Sequence, residues 1–539
     1  MLISADGYAL TNFHVAQPCG AALKCGLPDG KVYDAVVVGL DPTGDVALVK
    51  LFGRDNFPAA TLGDSDALEP GDWVYVMGNP FLLSTDFQPT VTYGILSGVH
   101  RYQYPSGTLL EYTDCLQTDA SINPGNSGGP LFDSQGRLIG INGRASFEKR
   151  GRVNVGVGYS ISINQIKNFL GALHSGRLVD HATLGARVGF DADSRVVVTD
   201  ILETSDAYRR GLRYGDEIVS FAGRTVDSPN TFKNVLGILP KGWRVPLSFR
   251  RDGKRHDVLV RLAGVHREEE LIEKATQRPP EMMPQPKPKA KKKGPPSKKI
   301  EPPKHPDEIP GLPQEDPLQV KTRKEPLLPD VVKQHYEVKR GYANYYFNKL
   351  QRDRVWKAFA ARGDFHSLSG PWTIAVRPTG SNPLELHLSD TEATLLSGTS
   401  QWKWQAGREG EAQWEPAGSG GLLLALHLWR RLQVEGPQHY GAVHYQAAQP
   451  VPGHGDPLDV LVGFDCGGEC RFYFDPREGF LVALEMFPAG DTDPCELELA
   501  DYHEVDGRWL PGRIEARYGD EHFGTFHLEA FKFEKSITP

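Results

Sequence analysis

The glycine-rich segment NPGNSGGP at residues 123–130 constrains this chain more than any other part of it. It places Ser127 in a tight turn, because Gly125 permits a close approach and the two following glycines let the chain leave without a Cβ clash. Such a turn exposes backbone N–H groups, and those of Gly125, Asn126 and Ser127 are the candidate donors to an oxyanion. The alternative interpretation is an ordinary glycine-asparagine turn between two strands.

Two upstream motifs supply the partners that a serine nucleophile needs. TNFHV presents His14 after a short strand pattern at Tyr8–Thr11, and GDVALV presents Asp45 before an apolar strand. The serine needs a base to take its proton, and the base needs a carboxylate that fixes its tautomer. The chain order His, Asp, Ser is that of chymotrypsin and differs from that of subtilisin and the α/β-hydrolases. We therefore predict a catalytic triad of His14, Asp45 and Ser127.

Two other aspartates compete with Asp45 for the role of the carboxylate. Asp41 precedes a proline and is typical of a turn residue, and Asp34 lies further upstream. Asp45 begins an apolar strand that would carry its side chain to a barrel edge, so we prefer Asp45. A structural role is the alternative interpretation of His14.

Several segments in order resemble the protease domain of the HtrA/DegP family. They are ISADGYALTNFHV, VVGLDPTGDVALVKL, LGDSDALEPGDWVYVMGNP, TVTYGILSGV and LQTDASINPGNSGGPLFDSQGRLIGIN. The resemblance covers about residues 1–175. It implies a mainly β protein with a chymotrypsin-like double β-barrel and the triad between the barrels. It further implies an ATP-independent endopeptidase of the bacterial periplasm or cell envelope, which degrades unfolded proteins and forms homotrimers.

The same resemblance places the substrate-binding residues. By position, Ile122 and Val157 line the S1 pocket, which implies small aliphatic P1 residues, and Gly158 is a further substrate-binding residue. Arg144 and Ser146 lie near the same loop, where the family is often apolar. VGVGYSISIN resembles the strand that closes the substrate groove, so substrate is expected to add as a strand along residues 155–159. Residues 95–111 and 144–153 correspond to the activation loops.

The start of the chain departs from the family pattern. Family members have a strand and a glycine-rich turn before the segment that matches ISADGYALTN, whereas this chain begins inside that hairpin. We expect either an incomplete N-terminus or a barrel that lacks its first strand. An incomplete barrel would favour the alternative function, a catalytically weak protease-like chaperone or binding module.

Residues 181–263 form a second predicted domain. Strand patterns and two short helical patterns, near residues 205–212 and 228–239, indicate an α+β unit. AYRRGLRYGDEIVSFAGRTV resembles the core of a bacterial PDZ domain, which implies binding of C-terminal peptides as an added strand. Thr183, Leu184 and Gly185 match the carboxylate-binding loop, although the family usually has an aromatic residue at position 183. The alternative is a small α+β module without a peptide ligand.

Residues 264–330 are predicted to be a linker. Residues 266–275 are charged and predict a helix. Residues 278–330 are rich in proline and lysine and contain no Phe, Trp or Tyr, so they cannot bury enough surface to offset the entropy of ordering. The lysine run at 287–293 could contact an anionic polymer or lipid, and a solvated spacer is the preferred interpretation.

Residues 331–536 are predicted to be a C-terminal α+β domain with an antiparallel sheet. A helix is predicted at 338–361, and nine strand patterns follow it. FYFDPREGFLVALEM and the sequence after it weakly resemble the sheets of lipoprotein carriers (LolA-like), which implies a lipid or envelope component as partner and the protease as effector. A regulatory or scaffolding domain is the alternative.

Composition excludes few classes and supports no cofactor. The net charge of −8 gives no reason to expect nucleic-acid binding, and no apolar run approaches 18 residues. Cys466 and Cys470 could form a short disulfide loop or half of a metal site, but no second pair lies nearby, so no metal is predicted. Cys19 and Cys25 flank a turn and could form a disulfide bond in an oxidising compartment.

Overall fold

The computed structural model describes residues 1–103, 112–147, 154–276, 328–407, 414–465, 467–488 and 492–534. These residues form an N-terminal unit, a small second unit and a large C-terminal unit. Sheets dominate all three, as the sequence predicts. No helix within these ranges is long and apolar enough to cross a membrane.

The N-terminal unit contains a four-stranded sheet of order β1-β4-β3-β2 and a closed barrel of order β10-β7-β6-β5-β8-β9. The expected double barrel is therefore closed in its second half, whereas its first half is a four-stranded sheet. The strands are β1 Tyr8–Thr11, β2 Ala22–Gly26, β3 Val32–Asp41, β4 Val46–Leu51, β5 Trp73–Gly78, β6 Thr90–Gln103, β7 Tyr112–Thr118, β8 Pro130–Asp133, β9 Leu138–Phe147 and β10 Asn154–Ser162. The helices are α1 Phe13–Ala16 and α2 Ile163–His174.

Helix α2 closes the N-terminal unit. It begins where the Ser162 hydroxyl accepts a hydrogen bond from the Gln165 N–H, as an N-cap residue does. Apolar side chains three or four residues apart then fall on one buried face: Ile163, Ile166, Phe169 and Leu173. This face belongs to the same core as Leu10, Val36 and Leu48 of the four-stranded sheet. Helix α2 therefore joins the sheet to the barrel.

The second unit is a small sheet of order β12-β13-β14-β16-β17, with β15 beside β14 and β11 paired to β18. The two predicted short helices are present and are capped by Ser205 and Ser228. The helix predicted at 266–275 corresponds to α5, Glu268–Thr276, within two residues at each end. The strands are β11 Ala182–Thr183, β12 Ala186–Phe190, β13 Val196–Ile201, β14 Glu217–Phe221, β15 Arg224–Thr225, β16 Arg244–Arg251, β17 Lys254–Arg261 and β18 Ala263–Gly264. The helices are α3 Asp206–Arg209, α4 Pro229–Gly237 and α5 Glu268–Thr276.

The C-terminal unit is an eleven-stranded antiparallel sheet of order β22-β21-β20-β19-β31-β30-β27-β26-β25-β24-β23. Its strands are β19 Trp372–Pro378, β20 Leu384–Leu388, β21 Glu392–Ser397, β22 Ser400–Gln405, β23 Ala442–Gln449, β24 Leu458–Asp465, β25 Gly468–Phe474, β26 Leu481–Phe487, β27 Cys495–Ala500, β30 Arg513–Tyr518 and β31 Glu521–Phe533, with the separate hairpin β28 His503–Val505 and β29 Arg508–Leu510. Its helices are α6 Asp330–Gln334, α7 Tyr345–Ala360 and α8 Leu422–Glu435.

Helix α8 fills the concave side of this sheet. All of its residues except Arg431 and Glu435 are buried, and its leucines belong to the main core of the unit. The space left between α8 and strands β19, β20, β21, β30 and β31 is about 20 Å³, which is room for about one water molecule.

Two predicted boundaries in this region were wrong. The helix predicted at 338–361 begins only at Tyr345, because the Asn344 side chain caps it by accepting from the Tyr346 N–H at 3.2 Å. The predicted linker also extends too far at its C-terminal end, since Leu328 already packs against the N-terminal core. Residues 277–327, which include the lysine run, lie outside the described residues.

Buried asparagines join the C-terminal unit to the N-terminal unit. Asn344 Nδ2 donates to the Val37 carbonyl at 2.9 Å, and Asn348 Nδ2 donates to the carbonyls of Ser175 and Tyr445 at 2.9 and 2.7 Å. Both asparagines are completely buried. Because unpaired buried amides are costly, these bonds fix the position of α7 on the N-terminal unit.

Paired arginines and glutamates join the second unit to the C-terminal sheet. Arg244 and Arg261 lie opposite each other on β16 and β17, and Glu496 and Glu485 lie opposite each other on β27 and β26. Arg244 Nη1 is 2.9 Å from Glu496, and Arg261 Nη2 is 2.5 Å from Glu485. We call these four residues the Arg–Glu clamp.

A buried histidine joins the second unit to the N-terminal unit. His181 Nε2 lies 2.8 Å from Asp41 Oδ2, and its Nδ1 lies 2.7 Å from the Gly237 carbonyl oxygen. Both ring nitrogens face acceptors, so both must donate, which requires the imidazolium form. Burial lowers the pKa of His181, but the Asp41 charge and these hydrogen bonds outweigh burial and hold the pKa above its usual value. Asp41, predicted as a turn residue, thus also forms a contact between units.

Candidate active site

The structure brings His14 and Asp45 together. His14 lies in the single turn of α1, directly after β1, and Asp45 directly precedes β4. His14 Nδ1 lies 2.9 and 2.8 Å from the two carboxylate oxygens of Asp45. The same carboxylate accepts the His14 backbone N–H at 3.0 Å. Asp45 therefore fixes both the backbone and the ring of His14, and Nε2 is left as the nitrogen that can act as a base.

The local backbone explains this geometry. Asp45 has a φ of +59°, a left-handed conformation that aspartate tolerates better than most residues. Its carbonyl accepts the Phe13 N–H at 3.1 Å and Asn12 Nδ2 at 3.0 Å. The turn before β4 is thus bonded directly to the start of α1.

Sequence reasoning missed Tyr112, the first residue of β7. Its hydroxyl donates to Asp45 Oδ2 at 2.5 Å, and Asp45 is completely buried. A buried carboxylate needs all of its hydrogen bonds, because each unmet one carries a desolvation penalty. Sequence signals could not identify this contact, because Tyr112 lies 67 residues beyond Asp45.

The surroundings of His14 favour its protonated form more strongly than water favours that of a free histidine. Burial lowers the pKa of His14, but the hydrogen bond and charge of Asp45 outweigh burial, so the pKa lies above its usual value. The imidazolium that would form during proton transfer is thereby stabilised.

The 123–130 turn lies against the segment that precedes His14. A Cβ atom on Gly128 would lie 2.2 Å from Thr11 Oγ1 and 3.2 Å from the Asn12 nitrogen. Glycine at this position therefore allows the turn to approach Thr11 and Asn12, which precede His14 in the chain. Ser127 Oγ itself donates to the Gly143 carbonyl at 3.4 Å, and no hydrogen bond to His14 is formed in this part of the described chain.

The peptide group before Gly125 directs its N–H out of the turn. The Pro124 carbonyl accepts the Phe81 N–H at 2.7 Å. Since C=O and N–H point in opposite directions in a trans peptide, the Gly125 N–H points away from Phe81. It has no acceptor among the residues described.

The other two predicted oxyanion donors differ from each other. The Asn126 carbonyl accepts the Gly129 N–H at 3.0 Å, so the Ser127 N–H points away from that bond and has no acceptor in the described ranges. The Asn126 N–H instead donates to the Asn123 carbonyl at 2.9 Å. Asn126 is therefore removed from the predicted set, and Gly125 and Ser127 remain.

The predicted substrate-binding residues Ile122 and Gly158 are in contact. A Cβ atom on Gly158 would lie 2.7 Å from Ile122 Cδ1, Ile122 is buried, and Val157 is half-buried beside Gly158. The side chains of Arg144 and Ser146 lie outside the described residues.

The expected added strand along residues 155–159 needs a correction. Strand β10 pairs with β7 at Gly158 and Tyr159 and with β9 at the same residues. Both edges are occupied there, so a substrate strand could pair only before Gly158. The segments 104–111 and 148–153 of the two expected activation loops lie outside the described residues.

The predicted carboxylate loop begins at the short strand β11. Thr183 Oγ1 accepts the Gly185 N–H at 3.1 Å, and Gly185 has a φ of +72°. The Leu184 side chain is buried in the core of the second unit, so only its backbone could face a peptide. Strand β12, which follows the loop, is at the end of its sheet, and no strand of the described residues pairs with its outer edge, where a peptide strand could add.

Residues of the second unit contact both strands that flank segment 104–111. Asn234 of α4 donates to the His100 carbonyl at 2.6 Å and accepts the Asp114 N–H at 2.9 Å. Arg224 lies 3.0 Å from Asp114 and 2.8 Å from Asp66. Asp66, His100 and Asp114 could offer three ligand atoms to a metal, but the Arg224 guanidinium already supplies a cation there.

The cysteines form no disulfide among the described residues. Cys19, Cys25, Cys115, Cys470 and Cys495 are free thiols, and the last three are buried. The disulfide bond considered possible between Cys19 and Cys25 is not formed in this structure. Cys466 lies outside the described residues, so the predicted Cys466–Cys470 loop stays a prediction.

Comparison with known proteins defines the class of this chain. A trypsin-like peptidase domain matches residues 1–141, and a PDZ domain matches residues 182–262. Periplasmic serine endoprotease DegP of Escherichia coli K12 is 37% identical over 275 residues, which cover 49% of this chain and 56% of that protein. A probable periplasmic DegP-like endoprotease of Chlamydia trachomatis is 35% identical over 280 residues, which cover 50% of this chain and 54% of that protein.

A solved structure, the HtrA-type protease AlgW with a tripeptide, is 32% identical, with a TM-score of 0.40 over 49% of this chain and 87% of that one. The chain belongs to the HtrA/DegP family of trypsin-like serine proteases with one PDZ domain. It spans about half the length of the curated relatives it matches.

Proposed function

We propose that this protein is a serine endopeptidase in which Ser127 is the nucleophile, His14 the general base and Asp45 the carboxylate that orients His14. The observation that carries the proposal is the buried Asp45 carboxylate, which holds His14 Nδ1 while the serine turn lies against the same segment. A carboxylate in this position keeps Nε2 as the free base.

The proposed reaction follows from these positions. Ser127 Oγ attacks the scissile carbonyl carbon and passes its proton to His14 Nε2, which then returns it to the leaving amine. Water attacks the acyl-enzyme by the same route. The N–H groups of Gly125 and Ser127 bind the oxyanion. Ser127 Oγ must first leave the Gly143 carbonyl, a weak contact of 3.4 Å, which is common in enzymes without bound substrate.

Substrate would bind in two places. A small aliphatic P1 side chain would enter the pocket formed by Ile122, Val157 and Gly158, whose lining is apolar. A C-terminal peptide would add to the free edge of β12, with its carboxylate at Thr183, Leu184 and Gly185. Because α4 contacts the strands on both sides of segment 104–111, a bound peptide could alter that loop through Asn234 and Arg224.

The names of the relatives support a location. We propose that the protein acts in the periplasm or cell envelope, as the relatives named periplasmic serine endoproteases indicate. Unfolded proteins as its substrates are part of the proposal and rest on the family resemblance. Assembly as a homotrimer is part of the same proposal and rests on the family resemblance alone.

Degradation of casein by the purified full chain, beside Ser127→Ala, tests the proposal. We expect cleavage by the wild type, covalent labelling of Ser127 by a fluorophosphonate probe, and neither in the variant. An equal rate for both proteins would refute Ser127 as nucleophile. Labelling without cleavage would favour the binding-module alternative.

Lipid binding by the C-terminal unit is the second candidate. The wide antiparallel sheet favours it, but α8 fills the concave side and leaves about 20 Å³. An acyl chain would therefore have to displace α8. Co-purification of lipid, measured by mass spectrometry on the intact chain, would support this candidate.

A further inference from the structure

A cavity of about 500 Å³ lies where the three units meet. It is bounded by the connection after α2, the loop before β16, α5, the segment before α7, and strands β23, β24 and β25. Five basic and three acidic side chains line it, in a chain whose net charge is −8. The cavity is thus more positive than the protein as a whole.

The acidic side chains of the wall already have partners. Glu469 accepts from Arg471 Nε at 2.7 Å. The other two, Glu268 and Asp180, lie 3.6 Å from Arg340 and 2.9 Å from His266. His266 in turn accepts from Lys274 Nζ at 2.6 Å. Each carboxylate of the wall is therefore already engaged by another side chain, and basic groups remain in excess.

Three of the basic residues of the wall, Arg177, Lys241 and Lys339, have no carboxylate partner among the described residues. The Arg177 guanidinium donates to the Tyr445 carbonyl at 3.3 Å and lies 5.1 Å from the Tyr342 ring. Lys339 Nζ lies 4.0 Å above the Tyr345 ring, and Lys241 forms no ion pair in this set. Arg471 Nη1 is buried without an acceptor. Buried N–H groups of this kind are costly unless an acceptor fills the space.

His444 responds to this excess of positive charge. Its Nδ1 is buried without a partner. Burial, together with the charges of Lys339, Arg177 and Arg352, lowers the pKa of His444 to about 4. The ring is therefore neutral near pH 7 and can hydrogen-bond to an anion without adding repulsion.

We propose that this cavity binds a phosphate group, with Arg177, Lys241, Lys339 and Arg471 as its ligands. A tetrahedral dianion suits cations that approach from several directions, whereas a single carboxylate offers two oxygens and one charge. The four side chains come from the connection after α2, the second unit and the C-terminal unit, so the bound group would join all three. The group could be a free phosphate ester or the head group of a lipid.

Calorimetric titration of the full chain with inorganic phosphate, at constant ionic strength set with chloride, tests this site. We expect saturable one-site binding. The double variant Lys241→Gln/Lys339→Gln should bind at least about tenfold more weakly, because two charged ligands are lost. Lys254→Gln, an exposed lysine on the far turn of the second unit, is the matched control and should bind like the wild type.

Vesicles distinguish the two sources of the phosphate. Vesicles of phosphatidylcholine with 20% phosphatidic acid, whose head group is a phosphomonoester, should compete with inorganic phosphate if a lipid head group is the ligand and should have no effect if a free ester is the ligand. Heat that does not saturate, or equal affinity in the double variant and the wild type, would overturn the proposal. Vesicle binding without any phosphate binding would place the anion site elsewhere and would also overturn it.

Discussion

The hydroxyl of Tyr112 offers the sharpest test of the triad. Tyr112→Phe removes one oxygen and leaves the ring in place, so Asp45 loses one of its three hydrogen-bond donors and keeps both from His14. The role we assign to Tyr112 is to position Asp45 through the hydrogen bond of its hydroxyl.

The expected size of the effect follows from the bond. A hydrogen bond to a charged group contributes about 1.5–3 kcal/mol, and about 1.4 kcal/mol is tenfold in rate. If this whole free energy stabilises the transition state in which His14 becomes charged, kcat should fall by about 10- to 150-fold with KM nearly unchanged. Without this hydrogen bond, the negative charge of Asp45 also interacts more strongly with His14. The pKa of His14, already above its usual value, should then rise further and move the acid limb of the pH–rate profile to higher pH.

The assay is hydrolysis of a fluorogenic peptide between pH 5 and 9, with melting temperature measured on the same samples. Tyr33→Phe is the matched control, because it removes a Tyr–Asp hydrogen bond of 2.6 Å from the same unit, at Asp29 rather than Asp45. The control should keep the wild-type kcat and pH profile. A Tyr112→Phe enzyme with unchanged kcat and an unshifted acid limb would refute the reasoning.

Three further predictions concern contacts between residues. Folding raises the pKa of His181, so its contribution to stability is complete below the unfolded pKa of about 6.5 and is lost as pH rises through the folded pKa. Urea unfolding should therefore show the largest difference in the free energy of unfolding between wild type and His181→Gln near pH 6. A difference that does not change with pH would contradict this. Arg261→Met leaves Glu485 buried without its partner and should cost about 3–5 kcal/mol in urea unfolding, most of which Arg261→Met/Glu485→Gln should recover. Gly158→Ala should raise KM for aliphatic P1 substrates about tenfold, and adding Ile122→Val, which removes the atom 2.7 Å from the new Cβ, should restore it.

Local sequence patterns predicted the features that depend on residues close together in the chain. Asp45 could be preferred over Asp41 because it directly precedes the apolar strand β4, and the structure places it at His14. Strands such as β20 and β30 are among the nine strands predicted in the C-terminal domain, because alternating residues face the core and solvent along an antiparallel sheet. Contacts between distant segments, such as Tyr112 with Asp45, leave no periodic signal in one sequence.

Helix α8 shows how an available signal was misjudged. The apolar run that begins at Leu422 is too short to cross a bilayer, and the sequence-based prediction contains no helix there. It lies between Gly421 and Gly436, and apolar residues occur on every side of the helix. That pattern is typical of a helix buried all round, and here the sheet of the C-terminal unit wraps around it.

The second unit is held from two sides, and this limits how a peptide could activate the site. Asn234 bonds to Asp114, which lies two residues after Tyr112 on β7, so a shift of α4 would reach the Asp45 carboxylate along one strand. The Arg–Glu clamp opposes such a shift from the other side. A ligand can change an equilibrium only by its difference in affinity for the two states. The binding free energy that an activating peptide gains from the shifted second unit would therefore have to exceed the free energy lost when the Arg–Glu clamp breaks. Weakening the clamp should lower the peptide concentration needed for activation.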